Sequence, residues 1–89
     1  MKVYVVTRIS LYGGDMDTSV NSYSTYEKAV DDIRGNFESD VRMMSSDCEN
    51  LRKDVNHDID ENIRSYCLYE EGFFTENSIT CEMNVQEVK

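Results

Sequence analysis

Along residues 2–11 apolar side chains occupy both alternating sets: Val3, Val5, Ile9 and Leu11 on one, Tyr4 and Val6 on the other. A β-branched and aromatic run of this kind predicts a central strand. Gly13-Gly14-Asp15 is a turn signal, and residues 18–24 read as a second, more exposed strand. The two predict a hairpin with a long polar loop over Tyr12–Asp17.

The period then changes. Ser24-Thr25-Tyr26-Glu27 matches a capping box, in which the Ser side chain accepts from a backbone N–H and Glu27 reaches back. Tyr26, Val30, Ile33, Phe37, Val41 and Met44 follow at steps of three and four, one face of a helix of about 20 residues. Gly35 inside it costs ~1 kcal/mol relative to Ala and marks either close packing or a break. Ser46-Asp47-Cys48-Glu49 repeats the box, and Cys48, Leu51, Val55, Ile59, Ile63 and Tyr66 continue at helical spacing. This predicts a second helix over residues 47–65, with Met43–Asp47 as the connection.

Tyr66–Glu70 reads as a short strand, Glu71-Gly72 as a turn or bulge, Phe73–Thr75 as its resumption, and Glu76-Asn77-Ser78 as a turn. From Ile79 alternation is clean, with Ile79, Cys81, Met83 and Val85 on one face and Thr80, Glu82, Asn84 and Gln86 on the other. That is a half-buried antiparallel strand with a wet outer face. The order β-β-α-α-β-β predicts an α+β domain spanning residues 1–89, an antiparallel sheet with two helices on one face. Its sheet edges leave a homodimer as the alternative to a monomer.

Charge adds the strongest signal. Between Lys53 and Lys89 stand nine acidic residues and one base, Arg64, in a chain of net charge −9. A localised acidic surface repels nucleic acid and anionic membrane and attracts basic protein surfaces. The bases are too scattered for a nucleic-acid groove. No apolar run approaches the ~20 residues that span a bilayer, and the N-terminal apolar stretch is too short for a signal peptide. The expected setting is the cytoplasm, without a membrane partner.

Candidate chemistry is sparse. Cys48, Cys67 and Cys81 form no C-x-x-C pair and read as free thiols, with a Cys67–Cys81 bridge or an intermolecular disulfide as alternatives. Asp54-Val55-Asn56-His57-Asp58-Ile59-Asp60 places oxygens at alternate positions like a calcium loop. Ile59, however, stands where that loop needs Gly, and Ser65 where it needs a bidentate Glu. His57, the single histidine, lies among acids and reads as an exposed residue rather than a catalytic base. We expect no enzyme activity, cofactor or metal. On the predicted second helix, Asp47, Asp54, Asp58 and Glu61 would share one side, with members three or four apart lying ~5–6 Å from one another at Cβ. Successive phosphates of a nucleic-acid strand have comparable spacing. The competing reading is that these acids only maintain solubility. The candidate partner-binding residues are Asp54, Asp58 and Glu61, with Glu70 and Glu71 near the following turns and Tyr12 and Tyr23 as the tyrosines least committed to a core.

Lys2–Ser10, the Gly-Gly-Asp turn and Tyr23-Ser24-Thr25-Tyr26-Glu27-Lys28-Ala29-Val30 together resemble a hairpin-then-helix pattern of small phage and mobile-element proteins. In size, acidity and lack of catalytic motifs the chain also resembles the anti-CRISPR proteins, many of which are small acidic binders. The resemblance is of type and carries over no individual residue. It implies a non-enzymatic inhibitor that covers a basic nucleic-acid-binding surface of a host defence protein, a CRISPR effector foremost, with carboxylates in place of phosphates. The alternatives are an interaction or regulatory module binding through a sheet edge, and a small-ligand sponge whose anion pocket would gather Arg8, Arg34 or Arg42.

Overall fold

Five strands and one helix make up the computed structural model, which describes residues 1–72 and 77–88. They are β1 (Lys2–Tyr12), β2 (Asp15–Tyr23), α1 (Tyr26–Asp47), β3 (Leu51–His57), β4 (Ile63–Glu70) and β5 (Asn77–Glu87). The strands form one antiparallel sheet in the order β2-β1-β5-β4-β3. The α+β class and the single antiparallel sheet stand, but there is one helix where the sequence predicts two.

The predicted helix over 47–65 is instead the end of α1 followed by a β3–β4 hairpin. Leu51 and Val55 sit four apart, a spacing that keeps two residues on one face of a helix and equally on one face of a strand. Both pack against the core from β3, while Ile59 sits 99% exposed at the tip of the turn. The predicted connection Met43–Asp47 is helical, and the second capping box falls on the last turn of α1, where the Cys48 N–H donates to the Met44 carbonyl at 2.8 Å. At the other end the cap is Thr25 rather than Ser24, its hydroxyl accepting from the Lys28 N–H at 3.4 Å.

The β1–β2 loop is also shorter than expected. Only Gly13 and Gly14 separate the strands, with φ of 62° and 88°. Two consecutive positive φ values define the tight turn whose twist matches a hairpin, and glycine adopts them without strain. Asn77 and Ser78 open β5 instead of forming a turn, whereas the expected strand at Phe73–Thr75 lies outside the described residues.

The helix covers one face of the sheet. Ala29, Val30, Ile33 and Met44 of α1 are buried against Val6 of β1, Tyr66 and Leu68 of β4, and Ile79, Cys81 and Met83 of β5. Tyr4 meets Tyr26 edge-on at 5.9 Å, and Phe37 meets Tyr66 at 5.2 Å. The apolar face expected on β5 is therefore present through Met83, and Val85 lies beyond the covered region at 47% exposure.

One ion pair lies inside this layer. Arg8 of β1 donates from Nε to Asp40 Oδ2 at 3.0 Å and from Nη2 to Asp40 Oδ1 at 2.7 Å. The Tyr66 hydroxyl donates to Asp40 Oδ2 at 2.7 Å. Asp40, only 4% exposed, thus meets its charge partner and a third donor together, which a buried carboxylate needs to offset its lost hydration.

Gly35 neither packs closely nor breaks the helix. It is exposed in mid-α1, and a Cβ there would meet no atom within 4 Å. Gly35→Ala should therefore stabilise the protein by about 0.5–1 kcal/mol, seen as a higher urea midpoint with unchanged slope.

Candidate functional site

The strand register sorts the charged residues into two ends and one open face. Tyr12 pairs with Asp15 and with Asn77, and Glu70 pairs with Leu51, so these residues share the end of the sheet that carries the Gly13-Gly14 turn. The C-terminus of α1 arrives there too, because the Tyr12 hydroxyl donates to the Asp47 carboxylate. Asn77 ties the group together: its Nδ2 donates to Glu70 Oε1 at 2.8 Å, and its Oδ1 accepts from the Gly13 N–H at 3.2 Å. Glu71 takes both Nε and Nη2 of Arg52, at 3.0 and 2.7 Å.

Of the seven residues selected from sequence, this end brings together Tyr12, Glu70 and Glu71. It adds Asp15, Asp47 and Glu49, whose clustering is hidden in the sequence because local spacing misplaces both the turn and the helix end. Asp47 occupies the last turn of α1, where there is no basic residue. A carboxylate there opposes the helix dipole, and the Tyr12 hydroxyl offsets part of that cost. The hydrogen bond to Asp47 pushes the Tyr12 phenol up to about 12. Cys48 is buried in the same region, and burial first, then the charges of Glu70 and Asp47, push its thiol up.

The remaining selected residues lie elsewhere. Asp54 is exposed on β3, on the sheet face opposite the helix, across from Cys67. Asp58 and Glu61 belong to the β3–β4 turn at the far end, so the helical stripe Asp47–Asp54–Asp58–Glu61 does not exist. Asp58 holds that turn together, its Oδ1 accepting from the N–H groups of Asp60 at 2.9 Å and Asn62 at 3.1 Å. This short local bonding is what Asp offers a turn. Glu61 sits in the left-handed region at φ 63°. Tyr23 closes the far end of β2, half-buried, and burial followed by its interaction with Asp32 pushes its phenol up.

Arg8 is committed to Asp40, Arg34 pairs with Asp31, and Arg42 is exposed on α1. A cleft of about 280 Å³ between the start of α1 and the β3–β4 turn is lined by Glu27, Asp31 and Asp60 together with Arg34, Tyr26, Val30 and Asn62. Among the described residues, no group of three or more His, Cys, Asp or Glu side chains is placed to hold a metal ion. Cys67 and Cys81 sit opposite Thr80 and Tyr66 respectively, on different faces of adjacent strands, so the bridge between them does not form. Burial pushes the Cys81 thiol up to about 11, which leaves it protonated and unreactive. No helix among the described residues is long and apolar enough to cross a membrane.

Comparison with known proteins found no matching family model, no similar curated protein and no similar solved structure.

The Tyr12–Asp47 bond gives a direct readout of this end. The folded phenol keeps its proton to about pH 12, above its ordinary value of 10. The bond's stabilisation is therefore fully present below the unfolded value and is lost as pH rises through the folded one. A tyrosinate absorbance titration should show Tyr12 titrating late together with Tyr23 and Tyr66, and in Asp47→Asn one of these late phenols should shift back toward its ordinary value.

Proposed function

We propose that this protein is a non-enzymatic inhibitor of the anti-CRISPR type, which binds a basic nucleic-acid-binding surface of a host defence protein inside a bacterial cell. The observation that carries this reading is the acidic end of the sheet. Asp15, Asp47, Glu49, Glu70 and Glu71 lie at that end, Asp15 and Asp47 directly beside Tyr12, and Arg52 is engaged by Glu71. Carboxylates held on two strands, a helix terminus and the adjoining connections present negative charge at fixed positions, as a nucleic-acid backbone does. Such a field speeds encounter with a cationic groove, and salt weakens it.

Tyr12 supplies an aromatic ring within this group, with its hydroxyl already oriented by Asp47. Asp54 and Glu61, both exposed, extend the acidity along the open face and to the far turn. Asp58 is left out because its carboxylate holds the β3–β4 turn. A small-ligand sponge has less support: of the bases that could form its anion pocket, Arg8 is taken by Asp40, Arg34 pairs with Asp31, and Arg42 is exposed on α1.

The test is binding to purified CRISPR effectors, with and without their guide RNA, at low and high salt. A partner should be retained at low salt, released at about 0.5 M, where screening is within a few ångströms, and displaced by its own guide or DNA. Charge reversal at Glu49→Lys with Glu71→Lys should weaken binding at least ~10-fold, a loss of about 1.4 kcal/mol. The pair Asp54→Lys with Glu61→Lys should do less. A folded Glu49/Glu71 variant that binds as tightly as the parent would overturn the assignment.

A further inference from the structure

The two edges of the sheet are built differently. β3 at one edge carries Arg52, Lys53, Asp54 and His57 in seven residues, and its register with β4 shifts between Asn56 and His57. Charges and irregular register are how an edge avoids pairing with another strand. β2 at the other edge has no register shift, and its charges, Asp15 and Asp17, are confined to the end next to the Gly13-Gly14 turn. Its nine-residue register with β1 is unbroken, and from Thr18 to Tyr23 it holds no charge, glycine or proline. We propose that β2 pairs with β2 of a second copy, antiparallel about Ser19, to make one continuous ten-stranded sheet.

The backbone supports this register. A two-residue turn makes Tyr12–Asp15 a hydrogen-bonded pair, and such pairs alternate along an antiparallel ladder. Asp15, Asp17, Ser19, Asn21 and Tyr23 therefore direct their N–H and C=O groups to β1. Met16, Thr18, Val20 and Ser22 direct theirs outward, over the free edge. A two-fold axis at Ser19 places Thr18 opposite Val20 and Met16 opposite Ser22, so every outward-directed residue meets another. The interface is isologous and closes as a dimer.

The side chains agree. Asp15 falls opposite Tyr23 and Asp17 opposite Asn21, so no like charges face each other. On the uncovered face of the sheet, Met16 is 65% and Val20 59% exposed, beside Ile9 and Leu11 of β1. Pairing brings the two Val20 side chains into diagonal contact and joins these apolar strips across the axis. The net charge of −9 does not oppose it strongly. β4 and β3 lie three and four strands from β2, about 14–19 Å at the usual strand spacing and beyond the ~8–10 Å screening length at physiological salt.

This goes beyond the binding reading and has the opposite salt dependence. Sedimentation equilibrium across the micromolar range should show twice the 10.3 kDa chain mass, with a dimer at least as tight at high salt as at low. Hydrogen exchange should show protection of the Met16, Thr18, Val20 and Ser22 amides that rises with protein concentration. Val20→Pro removes one outward N–H and none from the β1 ladder, and should give a folded monomer with those amides exposed. Val20→Lys, which keeps the backbone intact and sets like charges across the axis, should do the same. A parent chain that stays at single-chain mass throughout the range overturns the proposal and leaves the edge to a partner's strand. So does a dimer that persists in both variants, which would place the interface elsewhere.

Discussion

The position of the helix on the sheet depends on the ion pair of the partly buried Arg8 with the buried Asp40. The apolar contacts of α1 with the strands are largely non-directional and tolerate a slide or a rotation of the helix. The ion pair does not. Asp40 must lie over Arg8 from β1 and the Tyr66 hydroxyl from β4 at once, or a charge is left buried without compensation. This fixes both the axial and the rotational setting of α1. Two consequences follow at its ends: Tyr26 comes to rest against Tyr4, and Asp47 reaches Tyr12. The acidic end of the sheet is thus assembled in part by a contact in the middle of the core.

The same setting explains why titratable groups divide so cleanly. Inside the layer, Tyr66 and Cys81 are buried, and burial pushes both the phenol and the thiol up. Both therefore stay neutral beside the one compensated charge pair. Outside it, the acids stand at the ends of the sheet, on its open face and along α1, in a molecule 44 Å long. Pairing through β2 would turn the β3–β4 side of each copy outward, so a dimer would offer two acidic ends to two basic surfaces.

How much of this can be read from the chain depends on which spacings are informative. β1, α1 and β5 are legible because each carries one clear pattern for long enough: a β-branched and aromatic run in β1, steps of three and four from Tyr26 to Met44, and strict alternation from Ile79. The β3–β4 hairpin is not. Leu51, Val55, Ile59 and Ile63 are all four apart, a step compatible with either period. The step of three from Ile63 to Tyr66, which argues for a helix, comes from the register shift that skips Arg64 and brings both residues to the core side. For the site, composition reveals the acids but not their grouping. Glu70, Glu71 and Tyr12 come together only because β1, β4 and β5 are neighbours, and strand order leaves no local trace. Asp58 looks like a surface acid, yet its spacing to Asp60 and Asn62 is that of a side chain closing its own turn. The partner of Asp40 is equally hidden, since Arg8 is 32 residues away.

The most direct test of this account is a double-mutant cycle on the pair at its centre, read by equilibrium urea unfolding of Arg8→Leu, Asp40→Leu and the double variant. Arg8→Leu should cost about 3–5 kcal/mol, because it leaves the buried Asp40 without its charge partner, and Asp40→Leu should cost less, because Arg8 is only partly buried. The double variant should cost no more than Arg8→Leu alone, since it removes both charges. Additive losses, with a coupling within about 0.5 kcal/mol of zero, would contradict the claim that this pair sets the helix on the sheet.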